Sequence, residues 1–166
     1  MFPVPESPRT YGAGMARDDG IHRLAHRVTA LVRRAVHAGA PDVDYRPHAD
    51  GRPDPGEVVW TWVPYDEDDG RGKDRPVLVV GRRGEDLLGL MLTSKDHDRD
   101  AADEARSGRV WTDIGSGAWD PRGRPSEVRL DRLLVLDPVA VRREGAALDR
   151  ARFDRVVTEA RRVQGW

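Results

Sequence analysis

The sequence predicts a mainly β protein in which a compact small barrel is accompanied by helices. Residues 57–137 contain short runs rich in β-branched and aromatic residues, separated by turns with glycine or proline, and show no helical pattern. Short strands joined in this way are typical of a small barrel rather than of a parallel sheet. Apolar patterns with helical spacing precede and follow this region.

The first expected strand is Glu57–Val63, with Trp60 and Trp62 on one face by the period of two. The other expected strands are Pro76–Arg82, Asp86–Ser94, Arg109–Ile114, Ser126–Asp131 and Leu133–Asp137. A turn at Arg83-Gly84 joins the second and third strands into a hairpin. Neighbouring tryptophans could stack on nucleic-acid bases, but both faces of the first strand are apolar, which favours a packed barrel wall.

Helices are expected at both ends of the barrel region. The C-terminal one is amphipathic, with apolar positions from Leu148 to Val163 and arginines largely on the opposite face. Before the barrel, residues 21–39 form an expected basic helix, whose polar face carries Arg23, Arg27, Arg33 and Arg34. That face could contact RNA, an acidic partner or a membrane surface, but a solvated face of a docked helix is the simpler interpretation.

The domain organisation follows from these patterns. Residues 1–20 are rich in proline and glycine and poor in apolar residues, so we expect disorder there. The basic helix at 21–39 is followed by a Pro-rich linker at 40–55. Residues 56–166 then form the barrel domain.

Composition excludes several classes of protein. The absence of cysteine excludes disulfides, zinc–thiolate sites, iron–sulfur clusters and a cysteine nucleophile. No apolar run approaches the roughly 20 residues that a membrane helix needs, so we expect a cytoplasmic protein without a membrane partner. The net charge of −1 conceals basic ends around an acidic middle.

One charged run could suggest a metal site. Asp96-His97-Asp98-Arg99-Asp100 combines carboxylates with a histidine, and hard cations prefer clustered carboxylates. A single histidine among contiguous charges after a strand is more typical of a solvated loop. We therefore expect neither a metal nor another cofactor.

Four short segments then occur in a fixed order within roughly residues 56–163. They are Gly56-Glu57-Val58-Val59-Trp60, Lys73-Asp74-Arg75-Pro76-Val77-Leu78-Val79-Val80, Thr93-Ser94 and Ser126-Glu127-Val128. This series resembles the MazF/PemK family of toxins from type II toxin–antitoxin systems. The resemblance implies an SH3-like barrel, a homodimer and a metal-independent endoribonuclease that cuts single-stranded RNA and is neutralised by a cognate antitoxin.

The resemblance also implies that Arg75 and Thr93 are catalytic, and their chemistry fits that role. A planar guanidinium donates two parallel hydrogen bonds to phosphate oxygens, and Pro76 biases Arg75 towards an extended conformation. A hydroxyl at a strand end, from Thr93 or from Ser94, could hold the scissile phosphate, while Lys73 offers a point charge to the RNA backbone. The plain alternatives are a surface salt bridge for Arg75 and simple β-propensity for Thr93.

Two positions depart from the family pattern. Many members carry a glutamate five residues before the arginine, where this chain has Gly70. A carboxylate of the neighbouring loop could act as the base instead, and the sequence leaves open which one: Asp66, Glu67, Asp68 or Asp69. The late strand is followed by Arg132 where members often carry glutamine. We assign Glu67, Ser126 and Arg132 to substrate binding.

Two functions from other classes remain open on this sequence. The same fold also serves toxins that bind a topoisomerase without cutting RNA. A degenerate relative that acts by interaction alone is the second alternative. Cleavage of RNA by the purified protein in the presence of EDTA separates the endoribonuclease from both.

Overall fold

The structure is a computed structural model that describes residues 32–34, 41–97, 100–141 and 143–166. Its strands are β1 (Val32–Arg34), β2 (Asp42–Val43), β3 (Glu57–Pro64), β4 (Gly72–Arg83), β5 (Asp86–Thr93), β6 (Trp111–Gly115), β7 (Ser126–Arg129), β8 (Leu134–Leu136) and β9 (Arg143–Ala147). Helix α1 is Ala101–Arg106 and helix α2 is Arg150–Gln164, and a 3₁₀ turn covers Pro138–Ala140.

The described strands form one curled antiparallel sheet. Its main path is β1-β8-β5-β4-β3-β9, β2 adds to β4, and β7 pairs with both β5 and β6. All the six strands expected from the sequence are present, with ends shifted by no more than a few residues. The fold class, a mainly β small barrel with an amphipathic C-terminal helix, is confirmed.

Strands β3, β4 and β5 form the centre because their β-branched and leucine-rich runs can be buried on both faces. One face packs against α2 through residues such as Val58, Leu78 and Leu90. The opposite face, which includes Val59, Val63, Val77, Val79 and Met91, forms a second apolar cluster. These two cores fix the strands and therefore the strand ends that carry the site.

Helix α2 begins and ends at clear capping residues. The Asp149 side chain accepts a hydrogen bond from the backbone N–H of Arg152 at 2.9 Å, and Gly165 ends the helix with a left-handed φ of 76°. Phe153, Val156, Val157 and Ala160 are its buried residues. The apolar stripe expected between Leu148 and Val163 is thus the face that covers the sheet.

The basic helix expected at residues 21–39 is wrong at three positions. Residues 32–34 form strand β1, which pairs with β8 through Val32–Leu136 and Arg34–Leu134. Helical spacing of apolar residues does not reveal that the edge of β8 offers backbone hydrogen-bond partners, and edge pairing overrides a weak helical pattern. The rest of the expected helix, and the disorder expected at 1–20, lie outside the described residues.

The structure also differs from the linker expected at residues 40–55. Asp42–Val43 pairs with Gly81–Arg82 of β4, and any side chain at position 81 would collide with the Asp42 backbone. Tyr45 packs on Phe153 with ring centroids 5.1 Å apart and donates a hydrogen bond to the Leu148 carbonyl at 2.8 Å. The prolines of this segment therefore shape a chain that lies on the domain.

Helix α1 and strand β9 were also not expected from the sequence. Helix α1 consists of good helix formers but is a single short piece with no buried residue, so it has no apolar stripe. Strand β9 contains Glu-Gly-Ala-Ala, a poor strand sequence, and is a strand because it pairs with β3. Within the described residues, none of the helices has the length and hydropathy required to cross a membrane.

We predict that Tyr45→Phe lowers the free energy of unfolding by about 1 kcal/mol, because the hydrogen bond to Leu148 is lost. Tyr45→Ala should cost more, since the contact with Phe153 is lost as well. Urea denaturation measures both, and Tyr65→Phe is the control because the Tyr65 hydroxyl has no hydrogen bond to a described residue. An unchanged midpoint for Tyr45→Ala would show that this segment does not dock on the domain.

Candidate active site

Two clefts open at the end of the sheet where β4 begins and β5 ends. The first cleft has a volume of about 440 Å³ and is lined by residues that include Arg75, Thr93, His97, Trp111, Arg129 and Arg132. The second cleft has a volume of about 360 Å³ and is lined by residues that include Trp60, Lys73, Ser94, Asp120, Arg124 and Ser126. Arg75, Thr93 and Lys95 line both clefts and so form the ridge between them.

The register of β4 and β5 explains why Arg75 and Thr93 share this ridge. Val77 pairs with Met91, and each site residue lies two positions further towards the same end of the strand pair. Side chains along a strand alternate between the two faces with a period of two residues. Arg75 therefore points to the same face of the sheet as Val77, and Thr93 points to the same face as Met91. On the outer sides, Arg75 pairs with Thr61 of β3 and Thr93 pairs with Glu127 of β7.

Arg75 is a half-buried cation whose charge is not balanced locally. Among the residues that the structure describes, no carboxylate lies within ion-pair distance of it and no group accepts a hydrogen bond from it. Burial lowers the pKa of the Arg75 guanidinium, the nearby Tyr65 phenol raises it, and the positive charge of Arg129 lowers it further. Because a guanidinium stays protonated in proteins, the site favours an anion at this position.

Thr93 presents its hydroxyl in a defined orientation. Its side chain is largely buried, and Oγ1 accepts a hydrogen bond from the backbone N–H of Lys95 at 3.2 Å. The hydroxyl proton is therefore available to donate towards the clefts. Ser126 is arranged similarly, because its Oγ accepts from Nε1 of the buried Trp119 at 3.0 Å.

The structure places all seven site residues named from the sequence on the two clefts. Arg75 and Thr93 line both; Glu67 and Arg132 line the first; Lys73, Ser94 and Ser126 line the second. Lys73, Ser94 and Glu67 are exposed, whereas Ser126 and Arg132 are buried. Their roles in binding or catalysis stay predictions.

The acidic loop between β3 and β4 is partly committed to ion pairs. Asp66 lies 2.8 Å from Arg129 and 3.2 Å from Arg132, and Asp69 lies 2.6 Å from Arg71. Hydrogen bonds from the Arg71 backbone and side chain lower the pKa of Asp69. Of the four loop acids left open as a base, Asp66 and Asp69 are thus held as paired carboxylates.

Arg129 and Arg75 are both at least half-buried, but only Arg129 is paired with carboxylates of the described residues. Burial would lower the pKa of Arg129, but hydrogen bonds to Asp131 and Asp66 outweigh burial and raise it. Its guanidinium lies 2.8 Å from Asp131 as well as from Asp66. Arg129 is consequently a structural cation, which leaves Arg75 as the arginine suited to an incoming anion.

His97 is a site residue that sequence reasoning assigned to a solvated loop, and that interpretation is wrong. The residue is 8% exposed, lines the first cleft and stacks on Trp111 with ring centroids 4.0 Å apart and planes 3° apart. Its Nδ1 lies 2.6 Å from Oε2 of Glu127. The signal was hidden because Glu127 is 30 residues away in the sequence.

Trp111 is itself held by two side chains that also line the first cleft. Its Nε1 donates to Glu104 of α1 at 3.1 Å, and Glu104 also accepts from Nε of Arg109 at 2.7 Å. The hydrogen bond from Arg109 lowers the pKa of Glu104 and raises that of Arg109. Helix α1 therefore supports the wall on which His97 is stacked.

The chemical capacity of the site lies in cations and hydroxyls. Within the described part of the chain, no three His, Cys, Asp or Glu side chains cluster closely enough to hold a metal ion. Arg75 and Thr93 form a donor pair on the ridge, Lys73 and Lys95 add positive charge, and His97 adds a group able to exchange protons. This set suits an extended anionic substrate that spans both clefts.

Comparison with known proteins gives one family and several solved structures. A model described as PemK-like, MazF-like toxin of type II toxin–antitoxin system matches residues 54–163. No curated protein sequence matches the chain.

Three solved structures are similar to this chain. A MazE–MazF crystal structure from Deinococcus radiodurans is 20% identical, covers 70% of this chain and 95% of its own, and has a TM-score of 0.44. An endoribonuclease from a mycobacterial species is 16% identical, with coverages of 72% and 99% and a TM-score of 0.44. The toxin MazF-mt6 from Mycobacterium tuberculosis is 16% identical, with coverages of 65% and 99% and a TM-score of 0.41.

We predict that Glu104→Gln destabilises the protein at neutral pH and much less in acid. The carboxylate pKa is lower in the folded state, so its ion pair stabilises the fold above about pH 4.3 and stops doing so as pH falls through the lowered value. Chemical denaturation at pH 7 and at pH 3 measures the difference. Glu159→Gln on α2 is the control, and a Glu104→Gln effect equal at both pH values would refute the pairing.

Proposed function

Because the chain belongs to the family of PemK-like, MazF-like toxins of type II toxin–antitoxin systems, we propose that it is an endoribonuclease that cuts single-stranded RNA without a metal ion. The proposal rests on the environment of Arg75. The half-buried guanidinium has no counter-ion among the described residues, and it shares a ridge with the oriented hydroxyl of Thr93. Uncompensated charge in a cleft favours an anionic ligand such as a phosphodiester.

The reaction uses the RNA's own 2′-hydroxyl as the nucleophile. Its oxygen attacks the adjacent phosphorus, and the transition state carries more negative charge on the non-bridging oxygens than the ground state does. Arg75 donates two parallel hydrogen bonds to those oxygens, and the Thr93 hydroxyl donates a third. Donors that are already in place need no rearrangement when the charge develops, which is why such groups lower the barrier.

The two clefts give the RNA a path on either side of the scissile phosphate. With the phosphate on the ridge, the nucleotide before it and the nucleotide after it enter different clefts. Lys73 and Ser94 in the second cleft are exposed and can contact the backbone, and Ser126 can donate a hydrogen bond from the cleft floor. Glu67 and Arg132 would contact the nucleotide in the first cleft.

A cognate antitoxin is part of the proposal, because a type II system pairs the toxin with a protein that binds it. The positively charged ridge between the clefts is the surface whose coverage would stop cleavage. An antitoxin segment with carboxylates could occupy the place of the RNA phosphates next to Arg75.

We predict that Arg75→Ala and Thr93→Val each lower kcat by about 10²–10³, because each removes a preorganised donor to the transition state. Cleavage of a long single-stranded RNA in EDTA measures the rates, with melting temperatures to confirm folding. The control is Arg46→Ala, an exposed arginine that lines neither cleft. Wild-type rates in both site variants would refute the mechanism, and no cleavage by the wild-type protein would favour a non-catalytic binding protein.

We also expect a homodimer in solution, as the family resemblance implies. Apolar strand faces do not explain such a dimer. In the described part of the chain, the exposed large apolar side chains are Val139 and Val163, and neither lies on a strand. Light scattering at micromolar protein concentration measures the mass, for which we predict twice the chain mass of 18.6 kDa. A mass equal to that of one chain would refute the dimer.

A further inference from the structure

His97 is held on three sides at the wall of the first cleft. The plane of its ring lies on Trp111, its Nδ1 faces a carboxylate oxygen of Glu127 at 2.6 Å, and its backbone N–H donates to the same carboxylate at 3.2 Å. A buried imidazole with a fixed ring plane and one committed nitrogen is an arrangement that orients the other nitrogen.

The tautomer follows from the partner of Nδ1. An ionised carboxylate only accepts hydrogen bonds, so Nδ1 must carry the proton that it shares with Glu127. In the neutral ring Nε2 is then the nitrogen with a free lone pair. Among the described residues nothing forms a hydrogen bond with Nε2. Because His97 lines the first cleft and Glu127 does not, the edge of the ring away from Glu127 is the one available to a substrate.

The dyad of His97 and Glu127 is coupled to the catalytic ridge by the sheet itself. Glu127 is the direct cross-strand partner of Thr93 in the β5–β7 pair. Side chains directly opposite one another in an antiparallel pair start about 5 Å apart. His97 also follows Thr93 by four residues in the same strand-end loop, so both come to the first cleft from one short segment.

We propose that His97, oriented by Glu127, is the general base that takes the proton of the attacking 2′-hydroxyl. This inference rests on the proposed endoribonuclease function. It gives His97 a catalytic role, and it makes Glu127 a positioning residue that acts through His97.

The loop acids are less suited to this role. Asp66 is bound to Arg129 and Arg132, and Asp69 is bound to Arg71, so proton uptake by either would break ion pairs. Glu67 is the loop acid that lines the first cleft without an ion pair to a described residue, but it is exposed and nothing described fixes its orientation. His97 combines a cleft position with a fixed ring.

The step balances with groups that are present. The 2′-oxygen forms a bond to phosphorus while its proton moves to Nε2 of His97. The bond between phosphorus and the 5′-oxygen breaks, and the leaving 5′-oxygen takes a proton from water. The imidazolium, stabilised by the Glu127 carboxylate, then returns its proton to solvent, which regenerates the base.

The test compares single-residue variants on one RNA substrate in EDTA. His97→Gln should lower kcat by about 10²–10⁴ with little change in KM, which is the usual contribution of a general base. Its matched control is His48→Gln, because His48 is an exposed histidine that lines neither cleft. Glu67→Gln tests the competing base through the dependence of kcat on pH: the fall of kcat at low pH should remain in this variant if the base is His97, and should disappear if Glu67 supplies the base.

Two readouts separate catalysis from a structural role. Wild-type kcat should fall as pH falls through the range of about 5–8 in which imidazoles gain a proton, and the His97→Gln profile should lack this limb. The charged groups around the ring are Glu127 on β7, Glu104 on α1, and Lys95, Arg109 and Arg129 in the same cleft.

The second readout is chemical rescue. Millimolar imidazole should restore part of the activity of His97→Ala, because the free ring can occupy the space between Trp111 and Glu127. The rescue should be weaker in the double variant with Glu127→Gln, which removes the charge that orients the ring. Glu127→Gln alone should lower kcat more than it changes KM or the melting temperature.

The outcomes keep the two proposals distinct. Cleavage by the wild-type protein with an unchanged rate in His97→Gln, or a loss in His97→Ala that imidazole does not restore, would overturn the role of His97 alone. An RNA left intact by the wild-type protein would overturn the endoribonuclease function and this inference together. A loss in His97→Gln that imidazole restores in His97→Ala supports both.

Discussion

The antiparallel pairing of β4 with β5 is the constraint on which the rest of the structure depends. Its register brings Arg75 and Thr93 to one end of the strand pair, although they are far apart in the sequence. Apolar clusters on both faces hold that register, since a slip by one residue would turn every buried side chain towards the wrong face. The proposed binding and chemistry at the ridge therefore depend on the packing of the barrel centre.

The arginines of the first cleft differ in whether a carboxylate neutralises their charge. Arg129 and Arg132 are tied to Asp66, and this network fastens the β3–β4 loop to the late strand. Arg75 has no such partner among the described residues, so no neighbouring charge in this part of the chain compensates its burial. Holding a cation half-buried without a counter-ion lowers the stability of the fold. Such a cation is suited to a site that binds a phosphate group.

The sequence was most informative where side-chain pattern alone decides the structure. The β-branched runs predicted β3, β4 and β5. The seven candidate residues named from the sequence all line one or both of two adjoining clefts, and their roles stay predictions. Strands β1, β2 and β9 were missed because their conformation comes from the neighbouring strand edge rather than from their own residues. His97 was missed because Glu127 and Trp111, which define its surroundings, meet it only in the folded chain.

The central claim is that the ridge of Arg75 and Thr93 promotes attack by the RNA's own 2′-hydroxyl. The most direct measurement is the chemistry of the ends in RNA fragments made by the wild-type protein in EDTA, determined by mass spectrometry. Attack by the 2′-hydroxyl predicts a 2′,3′-cyclic phosphate on the upstream fragment and a free 5′-hydroxyl on the downstream one. Fragments with a 5′-phosphate, or RNA that stays intact, would contradict it.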